Sequence, residues 1–132
     1  MSAEAAVYAA LVAALRGSAD FGGLLNGVFE GPPVKASAPF AEVQPLVAVD
    51  WSTKDRAGRE LRPAVAIRDA GESPARLHAL IGAACAAVEA MPRELDGWRV
   101  ASLVFARSRM LAEAPGRWAA VVEYRVRVLA AG

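Results

Sequence analysis

Residues 50–60, DWSTKDRAGRE, hold three carboxylates, Asp50, Asp55 and Glu60, interleaved with three cations, Lys54, Arg56 and Arg59. Carboxylates this close could bind a divalent cation or share general acid and base work. The alternating cations argue against both, because the charges neutralise one another in water, as at a solvated loop tip. His78 is the single histidine and lies between Leu77 and Ala79, with no cysteine or carboxylate at ligand spacing on its face. It cannot supply a multi-histidine metal site. Cys85 falls on an apolar stripe, where a thiol behaves as a small hydrophobe. FGGLLNG, residues 21–27, is glycine-rich but lacks the preceding strand and the lysine of a phosphate loop, and no Gly-x-Ser-x-Gly or dinucleotide fingerprint occurs. No catalytic residue, metal site or cofactor is therefore expected.

Bulk properties exclude further classes. Net charge is +1, so no global field would collect nucleic acid. Lys35 and Lys54 are the only lysines; every other basic residue is arginine, which suits forked pairing at interfaces as well as a GC-rich gene. Arg16 and Glu89 interrupt the apolar runs before the roughly 18 residues a membrane helix needs. No basic residue precedes the N-terminal apolar run, as a secretory signal would require, and a lone cysteine makes no internal disulfide. A soluble, cytosolic protein without a membrane partner is expected. The 132 residues suit one domain, and 55% are hydrophobic, much of this alanine.

The elements that would position these residues can be read from periodicity. Residues 2–16 predict a helix capped by Ser2 and stopped at Gly17, with Val7, Tyr8, Leu11, Val12 and Leu15 on its apolar stripe. SADFGGLLNG predicts a short helical turn closed by Gly27. A strand then starts at Val28, and a Pro-rich crossing covers residues 31–39. VQPLVAVDW alternates with period two, which predicts a strand burying Val43, Val47, Val49 and Trp51; Pro45 marks an edge. ELRPAVAIRD alternates again, with Leu61, Val65 and Ile67 inward, so these runs form a hairpin around residues 50–60. That loop is longer than a hairpin needs and could order on contact with a partner.

Residues 73–91 predict a second helix, started by Ser73-Pro74 and ended by Pro92. Leu77, Leu80, Ile81, Ala84, Cys85, Val88 and Met91 form its core stripe. Its remaining faces carry Ala79, Gly82, Ala83, Ala86 and Ala90, a small-residue surface that lets another backbone approach closely. Residues 98–113 and 117–130 predict two long strands joined by Ala114-Pro115-Gly116. In this register Glu113 pairs with Arg117 and Arg107 with Glu123, while Val104, Ala106 and Met110 face the core opposite Val126, Tyr124 and Ala120. Arg117, Glu123, Arg125 and Arg127 point away. The fold class is α+β: one domain over residues 1–132, a mainly antiparallel sheet with long β-hairpins and two helices packed on it. A sheet that stacks bases usually adds exposed aromatics beside its arginines, whereas Trp118 and Tyr124 fall on the core face here.

Three surfaces remain, all suited to contact rather than chemistry: the hairpin tip Asp50, Trp51, Lys54, Asp55, Arg56 and Arg59; the helix face Ala79, Ala83, Ala86 and Ala90; and the strand charges Arg107, Glu123, Arg125 and Arg127. They predict an oligomeric, assembly-forming domain. Beyond this, the initial Ala/Leu helix, GVFEG leading through PPVKASAPF, and VDWSTKDRAGREL before a strand, helix and final strand pair resemble the tail-completion, or tail-terminator, proteins of long-tailed phages and gene transfer agents. Phe40 stands where the family usually has tyrosine. The resemblance implies a ring, of six copies, that caps the head-proximal end of the tail tube, stops tube polymerisation and joins the tail to neck or stopper proteins. It also implies assembly in the bacterial cytoplasm, residence in the particle tail, and DNA that only passes through the ring. Another neck or head-completion component, or a small nucleic-acid-binding domain, are the alternatives.

Overall fold

The computed structural model describes all 132 residues. Helix α1 (Ala3–Gly17) begins where the Ser2 hydroxyl accepts from the Ala5 amide, satisfying one of the first-turn donors a helix leaves unpaired. It buries Val7, Leu11, Val12 and Leu15 of the predicted stripe and leaves Tyr8 half-buried. A 3-10 turn (Gly22–Leu24) follows. Asn26 then donates to the carbonyls of Ser37 and Ala38 and pins the Pro-rich crossing.

The sheet comprises β1 (Val28–Glu30), β2 (Phe40–Val43), β3 (Ala48–Asp50), β4 (Gly58–Leu61), β5 (Ala64–Ala70), β6 (Glu94–Leu95), β7 (Trp98–Ala114) and β8 (Arg117–Ala130). Its order is β1-β2-β5-β8-β4-β3, with β7 on β8 and β6 on β7. Only β1 and β2 run parallel. Helix α2 (Ala75–Glu89) packs on β5 and β8, and α1 packs on α2. The core lies between these helices and the sheet, centred on Leu11, Leu15, Val65, Ile67, Leu77, Leu80, Val122, Tyr124 and Val126. Each fully buried valine or leucine there contributes about 1.5–3 kcal/mol.

The 43–69 hairpin departs from expectation. It breaks twice: β2 gives way to β3 across Gln44–Val47, and β4 to β5 across Arg62–Pro63. A proline in each gap, Pro45 and Pro63, lacks the amide a continuous ladder requires. After the break the strand turns its valines outward. Val43 is buried, but Val47 and Val49 are 64% and 52% exposed, and Trp51 is half-buried.

The β7–β8 register agrees with expectation from Arg107↔Glu123 to Ala112↔Trp118 and departs on either side. Ala101, Ala106 and Glu113 have no partner on β8, and the register shifts by one residue at each of them. Such bulges bend a strand and flip the phase of the residues beyond them. Phe105, not Ala106, therefore faces Tyr124, and Val104 opposes Arg125 and is exposed. The connection is a two-residue turn, Pro115-Gly116, with Gly116 at φ +71°, so Arg117 pairs with Ala114 rather than Glu113. The bulged Glu113 instead reaches Arg68 at 3.4 Å.

Candidate functional site

The 50–60 loop is ordered by its own hydrogen bonds rather than awaiting a partner. Thr53 N donates to Arg56 O at 2.8 Å and Arg56 N to Thr53 Oγ1 at 3.0 Å. Ser52 Oγ accepts from Gly58 N and donates to Asp50 Oδ1. The loop folds back on the end of β8: Arg56 Nη1 donates to Ala130 O, and the Arg127 guanidinium lies 5.2 Å from the Trp51 ring centroid. The three carboxylates do not converge. Asp50 meets Arg59 at 3.5 Å, Glu60 accepts from Arg127 Nε at 2.9 Å, and Lys54 and Asp55 are exposed without ion pairs. No three His, Cys, Asp or Glu side chains are placed to hold a metal ion.

On α2, Ala79, Ala86 and Ala90 are exposed and Ala83 is half-buried. Ala86 and Ala90 form one wall of an open groove of about 550 Å³, and Ala10, Ala13 and Ala14 of α1 form the other. His78 is exposed, and Cys85 is half-buried. The Tyr124 hydroxyl donates its one proton to the Glu89 carboxylate, with the Cys85 carbonyl 3.3 Å from the same oxygen. Burial first, then these bonds, raise its pKa above the ordinary tyrosine value. At the N-terminus of α2, the buried Asp69 takes two hydrogen bonds from Arg76 and one from the Ala70 amide. The Arg76 bonds outweigh burial and hold the Asp69 pKa below the usual carboxylate range.

The strand charges divide. Arg107 meets Glu123 at 3.6 Å and Arg127 meets Glu60. Arg125 lies between them on β8 without an ion pair, and its Nε is buried without an acceptor. Thus the predicted tip and strand charges come together at one point, where Arg127 joins Trp51 and Glu60, while the helix face lies apart from them in the helical layer.

Sequence reading missed the outer edge of β7. Its partner β6 covers only the first two residues, Trp98 and Arg99, and beyond Val100 nearly every residue is exposed, including Val104, Phe105 and Leu111. Val104 and Leu111 oppose Arg125 and Ala119 on the face away from the helices; on the helix side, length is the reason. A 15-residue helix spans about 22 Å, whereas a 17-residue strand runs roughly 55 Å. The helices therefore cannot cover the whole hairpin. Only Met110 of the expected inward residues keeps its place opposite Ala120; the bulges turn Val104 and Ala106 outward, and neither they nor the strand's place at the sheet edge was legible in the sequence.

Known proteins share this sequence pattern and this fold. The family described as Tail completion protein gp17 matches residues 9–129. A chain of a solved structure titled "Virion of native gene transfer agent (GTA) particle" is similar at 23% identity and a TM-score of 0.66, over 97% of this chain and 95% of that chain. That likeness extends to the fold. No curated protein matches the sequence.

Proposed function

The chain belongs to the tail completion protein gp17 family, a structural protein of phage-type tails, and from that premise we propose that it forms a ring ending the tail tube. The ring holds six copies. It caps the head-proximal end of the tube, stops further polymerisation and contacts a tail tube protein on one face and a neck or stopper protein on the other. Subunits are made in the bacterial cytoplasm and reside in the particle tail, and DNA crosses the ring without base readout. The observation that carries this reading is the family match over residues 9–129. The ordered tip at residues 50–60, the alanine groove and the open β7 edge supply the surfaces such a subunit needs. Charges of both signs at the tip select the docking register, because like charges penalise wrong placements.

Deleting the gene in a particle-producing strain and imaging the particles tests the proposal. Tails of irregular length or detached from heads are expected. Normal tails joined to heads would refute it. Locating the chain in the intact particle separates tube termination from another neck position.

A further inference from the structure

We infer that the outer edge of β7 pairs with the β3 edge of a second copy, head to tail, so that the sheet continues from one subunit into the next. The inference rests on the assembly proposed above, but its contact is read from backbone directions. Tyr124 N donates to Pro63 O and Ala130 N to Ala57 O, so the even-numbered residues of β8 turn their amides toward β4 and β5. The odd-numbered residues turn theirs toward β7, because amides alternate along a strand. Glu123, Val121 and Ala119 therefore bond to Arg107, Arg109 and Leu111. The backbone groups of Ser108, Met110 and Ala112 consequently point away from β8, into open space. Between the bulges at Ala106 and Glu113 this bare edge is a template for another strand.

Side chains mark the same edge. Phe105 is 47% and Leu111 38% exposed, and no carboxylate lies between Trp98 and Ala112 to oppose Arg99, Arg107 and Arg109. Across the sheet, β1 is blunted, since Arg16 donates to Val28 O through both Nε and Nη2. The β3 edge is not. Val47 O and Trp51 N are used by β4, so the backbone groups of Ala48 and Asp50 face outward, flanked by the exposed Val47 and Val49. The Asp50 carboxylate, 75% exposed, complements the arginines of β7.

Pairing of β7 with its own copy is disfavoured in two registers: about a two-fold axis at Ser108 or Arg109, Arg107 would face Arg109, or Arg109 would face itself, and like charges directly opposite destabilise. An axis at Met110 sets Arg107 against Glu113 instead, so cross-linking by Met110→Cys alone would also overturn the inference. A β7–β3 junction is heterologous and leaves a free edge at each end of a growing chain of subunits, which a ring closes.

The test places Ala48→Cys and Ser108→Cys together in a Cys85→Ser chain, with Ala112→Cys as an alternative register. A short bis-maleimide is then applied to purified particles and to concentrated protein. Dimers and higher species are expected from the double variants and none from Ala48→Cys or Ser108→Cys alone. Cross-linking by Ser108→Cys alone would mean that β7 meets itself and would overturn the inference. No cross-linking in particles that contain the chain would also overturn it, while leaving the tail role standing. Absence of the chain from the tail would instead sink the proposed function, and the concentrated protein would then decide the junction. As a second measure, Ser108→Pro removes only an outward amide and should keep the fold while abolishing copy-to-copy association. Arg109→Pro, whose amide bonds β8, should unfold the chain. Unchanged assembly of Ser108→Pro would overturn the inference independently.

Discussion

Asp69 is the buried charge on which the start of α2 depends. Its side chain is 4% exposed and holds Arg76 Nε at 2.9 Å and the Ala70 amide at 2.8 Å, with a further bond from Arg76 Nη2. Hydrogen bonds to charged groups contribute about 1.5–3 kcal/mol each. They do not add fully here, because the Arg76 side chain is 58% exposed and water replaces much of what it loses. Asp69→Ala should therefore cost about 2 kcal/mol, a fall in Tm of about 6–8 °C for a chain of this size. The effect has a pH signature. The Asp69 pKa is lowered on folding, so the folded state binds fewer protons than the unfolded one. Its contribution is complete above the unfolded value of about 3.9 and is lost as pH falls through the folded value. Urea midpoints of the parent chain and Asp69→Asn, measured in parallel, isolate this group because the other carboxylates cancel in the difference. The two should differ by a constant amount from about pH 7 to pH 5, and the gap should narrow as pH falls below the unfolded value of about 3.9. A gap that stays the same at the acid end would refute the assignment to an ionised carboxylate, and an Asp69→Ala chain melting with the parent would refute the packing argument itself.

Val122, 1% exposed in mid-β8, should not tolerate aspartate: an unpaired buried charge costs several kcal/mol, and circular dichroism of Val122→Asp should show no cooperative transition. Gly58→Ala would place a Cβ 2.4 Å from Trp51 O and 2.9 Å from Leu129 Cδ2. The backbone must shift, at about 1–3 kcal/mol, and a Tm equal to the parent's would contradict this. Replacing Lys54, Asp55 and Arg56 with Gly and Ser should leave the Tm within a few degrees, since loop tips carry little core, yet lower incorporation into particles. Full incorporation, scored by immunoblot of purified particles, would mean that the tip is not a contact.

Local rules in the chain were enough to determine both helices and the buried phase of β5 and β8, though only Ser2 caps its helix; α2 starts one residue later than expected, with Pro74 rather than Ser73 at the cap position and no side-chain cap bond. Opposite charges on Arg107 and Glu123 were enough for the central register of the last hairpin. Each of these depends on a period of two or 3.6 residues, or on a cap one turn away, and such signals are written in consecutive residues. Pro45 was legible as an edge signal because it lacks an amide, but the outward turn of Val47 and Val49 beyond it, the bulges at Ala101, Ala106 and Glu113, and the bare flank of β7 were decided by the assembled layers. A two-residue period says which way a side chain points, not whether anything lies there to meet it. Helices advance less than half as far per residue as strands, so two short helices cover only the centre of the sheet, and β6, pairing with only Trp98 and Arg99, leaves the outer side of the longest strand open.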